Sequence, residues 1–372
     1  MESSTRFKEF RRLVRNKFNV FNSLFLSLPF KQIRTTGELM PLLQNECRDG
    51  LRDGREPLEI LDSFFASRPE LKTEQARMNF MFRVIQYVER QVVLFDSVED
   101  AAFADLHGGN EELSLSDYIH FTNSKSGAKN TTTGALELLS KFRTRIVFTA
   151  HPTQFYPPSV LRIIAKLRQF ISENDISSID MSLQQLGLTS LLKSTKPTPL
   201  EEAKNIIYFL RNVYYDAVGE IYSELREATP GGHFNNAQIL QLGFWPGGDR
   251  DGNPFVTFDT TLAVADELRM TLMKCYYGDL KDLEGKLTFR NVEDVVAELI
   301  SSVYEAMFNA GSTLAATDIE RPLKDIKKIL LSEYNGLYRE DVDALIGKVN
   351  LFKTHFATID IRQNHAVHEQ VI

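Results

Sequence analysis

The chain has 372 residues, 43% hydrophobic and 25% charged, a balance that buries a core large enough for one large domain or two. Its formal charge of -7 at pH 7 excludes a dedicated nucleic-acid binder, which needs a basic face to release counterions. An anionic small molecule is not excluded, because a few local arginines outweigh a mild global charge.

The N-terminal stretch is basic, and Phe7, Phe10, Val14, Phe18 and Phe21 recur at three- and four-residue steps. That spacing predicts an amphipathic helix. A secretory leader is not expected, because Asn22, Ser23 and Ser27 interrupt the apolar stretch from Val20 to Leu28 and no small-x-small cleavage site follows. Glu2 and Glu9 argue against a transit peptide. No run of about 18 apolar residues occurs, so no membrane span is expected. Cys47 and Cys275 form no CxxC pair and read as reduced core thiols in a reducing, cytoplasmic setting.

Thr73 to Phe103 carries few breakers and reads as a long helix, and Thr122 to Thr133 (TNSKSGAKNTTT) as a loop. RIVFTA (Arg145 to Ala150) is a short, β-rich run and reads as a buried strand. After a loop from Lys193 to Pro199, a second long helix opens with Thr198 as N-cap, Pro199 at the first helical position and Glu201 completing a capping box. Ile206, Leu210, Val213, Ala217 and Ile221 form its predicted apolar stripe. Thr229 to Asn236 is another loop, and ILQLGFWP (Ile239 to Pro246) a second strand. Helical patterns then run from about Asp259 to Leu283, Val292 to Phe308, Ile319 to Ser332 and Glu340 to Val349, before a third strand in NLFKTHFATID (Asn350 to Asp360). The fold class expected is mainly α with a few parallel strands, because long helical insertions separate the strands. The expected organisation is a helical region over 1–144 and a partial barrel over 145–372.

Each strand leads into a polar motif. His151-Pro152 follows the first, and Pro152 biases His151 toward an extended backbone, a fixed direction suited to proton transfer or anion binding. The run GGDRDGNP (Gly247 to Pro254) follows the second: its glycines permit positive φ and close ligand approach, and Arg250 lies between Asp249 and Asp251. It is no EF-hand loop, since Pro254 stands where glycine is required, and no dinucleotide fingerprint, since the glycines are wrongly spaced. Arg362 directly follows the third strand, where a guanidinium suits bidentate phosphate binding. Each has a structural reading too: a satisfied histidine, a tight turn with a surface ion cluster, and an Arg362 salt bridge to Asp360 or Glu369. His365 and His368 are three apart, but without HExxH they do not make a zinc motif.

Together, TAHPTQ (Thr149 to Gln154), GGDRDGNPFVT (Gly247 to Thr257) and IDIRQ (Ile359 to Gln363) resemble three motifs of the phosphoenolpyruvate carboxylases, in that family's order. The resemblance covers about Arg145 to Ile372. It implies a helix-decorated TIM-type barrel, incomplete in this chain. It also implies carboxylation of phosphoenolpyruvate by bicarbonate to oxaloacetate and phosphate, an anaplerotic carbon fixation, with Mg²⁺ or Mn²⁺. His151 matches the family's essential histidine, and Arg362 an arginine on the substrate phosphate. Asp249, Arg250, Asp251 and Asn253 match the site-supporting turn. No metal ligand is expected within these residues, and the whole protein is expected to form a homo-oligomer, as a tetramer. Departures from the family pattern are Gln154, the run Phe155 to Pro158 in place of an arginine, and Asn364 and His365 after IDIRQ. The later motifs of the family are not found, so these 372 residues alone are expected to be inactive. The alternative is a non-catalytic anion-binding or regulatory module that binds phosphate at His151 and Arg362 without a metal.

Overall fold

The computed structural model describes residues 2–26, 31–107, 139–149, 156–191, 197–227, 229, 234–250, 253–309, 311 and 313–370. Two compact units emerge, one of Met1–Glu112 with Tyr156–Thr195, the other of Leu113–Phe155 with Lys196–Ile372. None of the described helices is long and apolar enough to cross a membrane.

The first unit is helical: α1 (Glu2–Leu26), α2 (Lys31–Arg52), α3 (Pro57–Ala66), α4 (Glu74–His107), α5 (Pro158–Glu173) and α6 (Ile176–Leu188). As the spacing in α1 predicts, Val14 and Phe21 are buried, with Phe10 and Phe18 packed against the same core. Val93, Val98, Ile163, Leu167, Ile171, Ile179 and Leu183 complete that core from α4, α5 and α6. Arg90, buried on α4, donates to the carbonyls of Leu186 and Thr189 at the end of α6, satisfying groups that the last helical turn leaves open. The predicted loop from Thr122 to Thr133 lies outside the described residues.

The second unit contains β1 (Thr144–Phe148), α7 (Pro199–Phe209), α8 (Tyr215–Glu227), β2 (Leu240–Phe244), α9 (Phe258–Lys286), α10 (Glu293–Phe308), α11 (Ala316–Glu333), α12 (Arg339–Phe352), β3 (Thr358–Ile359) and α13 (His365–Glu369). Its strands form one parallel sheet in the order β1-β2-β3, and among the described residues the sheet does not close. Helices cover one face: Ile146, Phe148, Leu242 and Phe244 join a core with Val264, Leu268, Leu272 and Tyr276 of α9.

Thr198 caps α7 as predicted, accepting from the Glu201 amide at 3.3 Å while the Glu201 carboxylate accepts from the Thr198 amide at 2.9 Å. The stripe predicted to continue from Leu210 does not. A π turn over Leu210–Tyr214 joins α7 to α8 and adds a residue to the repeat. The inward face therefore steps from Leu210 to Tyr215, then Val218, Tyr222 and Leu225, while Val213 and Ile221 turn outward and Ala217 is half-buried. A period of 3.6 carried through the segment misses this shift.

The third predicted strand is mostly not strand: Asn350–Phe352 end a helix, and residues 353–357 are turn and bend. Leu345, Ile346, Val349 and Phe352 follow helical spacing and are buried, so α12 runs to Phe352 before Lys353, at φ 58°, ends it. Only Thr358–Ile359 remain as β3, because Phe352 is the last residue of the helix and Phe356 is buried from the bend that follows it, neither on a pleat.

Candidate anion-binding site at the strand ends

The register aligns the strand ends. Phe148 stands opposite Phe244, and Phe244 opposite Ile359. The ladder continues one step further, the Trp245 amide donating to the Phe148 carbonyl and the Asp360 amide to the Phe244 carbonyl, each at 2.9 Å. All three motifs therefore leave the sheet at its C-terminal end.

The glycine turn folds back tightly. The amides of Gly248 and Asp249 both donate to the Trp245 carbonyl, at 2.8 and 2.9 Å. Gly247 has φ 79°, and a Cβ there would meet the Val264 side chain at 2.6 Å. A Cβ on Gly248 would lie 2.4 Å from the Asp360 carbonyl oxygen. That closeness lets the turn join the third loop through a parallel bridge between Asp249 and Arg362. Its bonds run from the Arg362 amide to the Gly248 carbonyl and from the Arg250 amide to the Arg362 carbonyl, each 2.9 Å.

The side chains add to this. Arg362 Nη1 donates to Asp249 Oδ2 at 2.8 Å, and the guanidinium lies over the Trp245 ring, 4.2 Å from its centroid. Neither sequence-level partner, Asp360 or Glu369, holds it. Asp360 instead accepts from Arg145 Nη2 at 2.5 Å and from Trp245 Nε1 at 3.1 Å. Arg145 reaches Asp360 from β1 across β2, a span of about 10 Å at the usual strand spacing. It passes over Gly243, where a Cβ would meet Arg145 Nε at 2.8 Å.

Arg250 takes a hydroxyl partner. Asp249 turns to Arg362, and Arg250 Nη2 donates to Thr261 Oγ1 at 3.1 Å, with the Thr261 hydroxyl donating to the Gly247 carbonyl at 2.6 Å. Arg250 Nε is buried and has no acceptor among the described residues. Asn253 closes the turn, its Oδ1 accepting from the Phe255 amide at 3.1 Å. Asn364 caps α13 through the Ala366 amide at 3.0 Å. His151 and Asp251 lie outside the described residues. Arg362, Asp249 and Arg250 are thus brought together, and Asn253 holds the loop that carries two of them.

Sequence reasoning missed Arg145, Gly243, Trp245, Asp360 and Thr261. Two carried a signal: Arg145 is a charge inside an apolar strand, and Trp245 is the one tryptophan of the chain, adjoining the glycines. Among the described residues, no three His, Cys, Asp or Glu side chains are placed to hold a metal ion.

Motif loops leaving the C-terminal end of a parallel sheet, with two arginines fixed by that end, define a mainly helical protein with a small parallel sheet that carries its motifs at one end. A family model described as phosphoenolpyruvate carboxylase matches residues 121–314, just over half of the chain, and the chain belongs to that family. Similar curated relatives include the phosphoenolpyruvate carboxylases of Vibrio atlanticus, 24% identical over 282 residues, and Rhodopseudomonas palustris, 26% identical over 299; each alignment covers 64% of this chain and 32% of the relative. That of Nitrosomonas eutropha is 23% identical over 288 residues, covering 61% of this chain and 30% of the relative. The chain spans about a third of the length of these relatives.

Proposed function

We propose that this chain builds the phosphate-binding side of a phosphoenolpyruvate carboxylase site, in which phosphoenolpyruvate and bicarbonate give oxaloacetate and phosphate. The observation that carries the proposal is the Asp249–Arg362 bridge, which sets the glycine turn and the third motif side by side at the C-terminal end of the sheet. On this reading the three strands belong to a TIM-type barrel. Parallel sheets are buried on both faces, and the half-exposed Arg145 and Val147 mark a face that further strands would enclose.

Arg362 takes the substrate phosphate. Nη1 is committed to Asp249, so Nε and Nη2 remain for a bidentate contact with phosphoryl oxygens. A bicarbonate oxygen attacks phosphorus and the bond from phosphorus to the enol oxygen breaks, leaving carboxyphosphate and the enolate of pyruvate. Arg362 offsets the charge spread over the phosphoryl oxygens. Carboxyphosphate then yields CO₂ and phosphate, and the enolate carbon attacks CO₂. His151 serves this breakdown as base or electrostatic partner, and Asp249, Arg250, Asp251 and Asn253 shape the turn. Mg²⁺ or Mn²⁺ belongs to the family's chemistry as a Lewis acid. The described residues contain no donor set that fits it, so no step here runs through the ion.

Three strands supply part of such a site, so the 372 residues alone bind phosphoenolpyruvate without turning it over. Equilibrium dialysis with labelled phosphoenolpyruvate, beside a coupled assay for oxaloacetate, tests both statements. Saturable binding without turnover is expected. Oxaloacetate at enzymic rates would overturn the second statement, and no binding the first.

A further inference from the structure

We propose that Asp360 is a positioning residue for Arg362 and acts through the indole of Trp245; this rests on the reading of Arg362 as the phosphate ligand. An indole supports a cation through its face, not its edge. The guanidinium must lie over the ring face, where the π quadrupole is negative. Arg362 does so at 4.2 Å from the centroid. A tryptophan held only by its Cβ keeps a choice of ring rotations, and most of them turn the edge, not the face, to a neighbour. Trp245 loses that choice because Nε1 donates to Asp360 Oδ2 at 3.1 Å.

Asp360 is fixed in turn. Its other oxygen accepts from Arg145 Nη2 at 2.5 Å, and its own amide is tied to the Phe244 carbonyl at 2.9 Å. Arg145 reaches it only because position 243 has no side chain in the way. The order is then Arg145 on β1, Asp360 after β3, Trp245 after β2, and Arg362 two residues beyond Asp360, a chain of four side chains drawn from three strands. Arg362 receives two constraints at right angles in function. Asp249 fixes its Nη1, and the ring fixes its plane. A planar, bidentate donor pre-set in this way loses less freedom when an anion arrives.

Trp245 is the one tryptophan, so its emission and its quenching by acrylamide report this ring alone. The test uses the 372-residue chain, free and with phosphoenolpyruvate. Asp360→Ala and Arg145→Ala are each expected to raise quenching and weaken phosphoenolpyruvate binding by about tenfold, the scale of a lost cation–π contact. The double variant should be no worse than the weaker single, since both act through the same indole. Asp360→Asn keeps an acceptor for Nε1 and should stay closer to wild type. Unchanged quenching in Asp360→Ala overturns the proposal, whatever happens to affinity. If circular dichroism finds Asp360→Ala unfolded, Arg145→Ala, at a part-exposed side chain, decides. If the wild type fails to bind phosphoenolpyruvate, the phosphate-ligand reading falls, and the quenching comparison still decides whether Asp360 holds the ring.

Discussion

Asp249 and Arg362 meet twice, through their backbones in a parallel bridge and through an Nη1–Oδ2 contact of 2.8 Å. The ion pair is partly exposed, and such a pair alone contributes little to stability. The bridge is the stronger constraint, because it joins two loops by main-chain bonds that no side-chain rotation can undo.

Gly248 is what permits the bridge. Gly248→Ala would press a methyl against the Asp360 backbone, 2.4 Å from its carbonyl oxygen, and backbone cannot rotate away as a side chain can. The expected cost is about 1–3 kcal/mol, read as a lower urea midpoint, with a weakened response to phosphoenolpyruvate. A wild-type midpoint and response would show that the loops do not depend on this contact.

Gly243→Val tests a different contact. Its side chain would displace the flexible Arg145 rather than backbone. Gly243 is buried on the central strand, so an overpacking cost of about 1–3 kcal/mol is expected, while Trp245 becomes more accessible to acrylamide. Loss of the fold instead would place Gly243 among residues that the sheet itself requires.

The π turn predicts a reversal of the naive helix face. Val213 is half exposed and Val218 is buried at 3%. Val213→Asp should leave the melting temperature within a few degrees of wild type, whereas Val218→Asp, which buries an unpaired carboxylate, should cost about 3 kcal/mol or more. The opposite order would mean that the helix runs through Leu210–Tyr214 without the extra residue.

His355 makes the second unit sensitive to acid. Burial pushes its imidazole below the usual value, and the Arg269 guanidinium adds to this against a smaller opposing pull from Asp266. The unfolded chain therefore binds the proton more readily than the folded one. The resulting stability is present above the unfolded value of about 6.5 and is lost as pH falls through the folded value. Urea midpoints should decline on acidification below about pH 6.5, and His355→Gln should flatten that decline. An equal decline in the variant would assign the sensitivity to other groups.

Much of this was legible in the sequence for local reasons. The cap at Thr198, the amphipathic face of α1 and the exit of each motif from a strand depend on neighbours in the chain. What was missed depends on partners far away. The Arg145–Asp360 pair spans 215 positions and exists because Gly243 opens the path between them. The π turn inserts a residue that no periodic reading anticipates. The third strand was overdrawn because a helix-ending Phe352 and a Phe356 in a bend look like strand residues until their packing against Tyr215 is known. Arg362 was found, but its partner was not, since Asp360 was nearer in sequence than Asp249.

The most direct measurement is calorimetric titration of phosphoenolpyruvate into the wild-type chain, Arg362→Ala and Arg362→Lys, repeated with inorganic phosphate as competitor. Binding by the wild type that phosphate displaces, abolished in Arg362→Ala and only partly kept by Arg362→Lys, is the predicted result, because lysine cannot reproduce the planar fork. Equal binding by all three would contradict the account and remove Arg362 from the site.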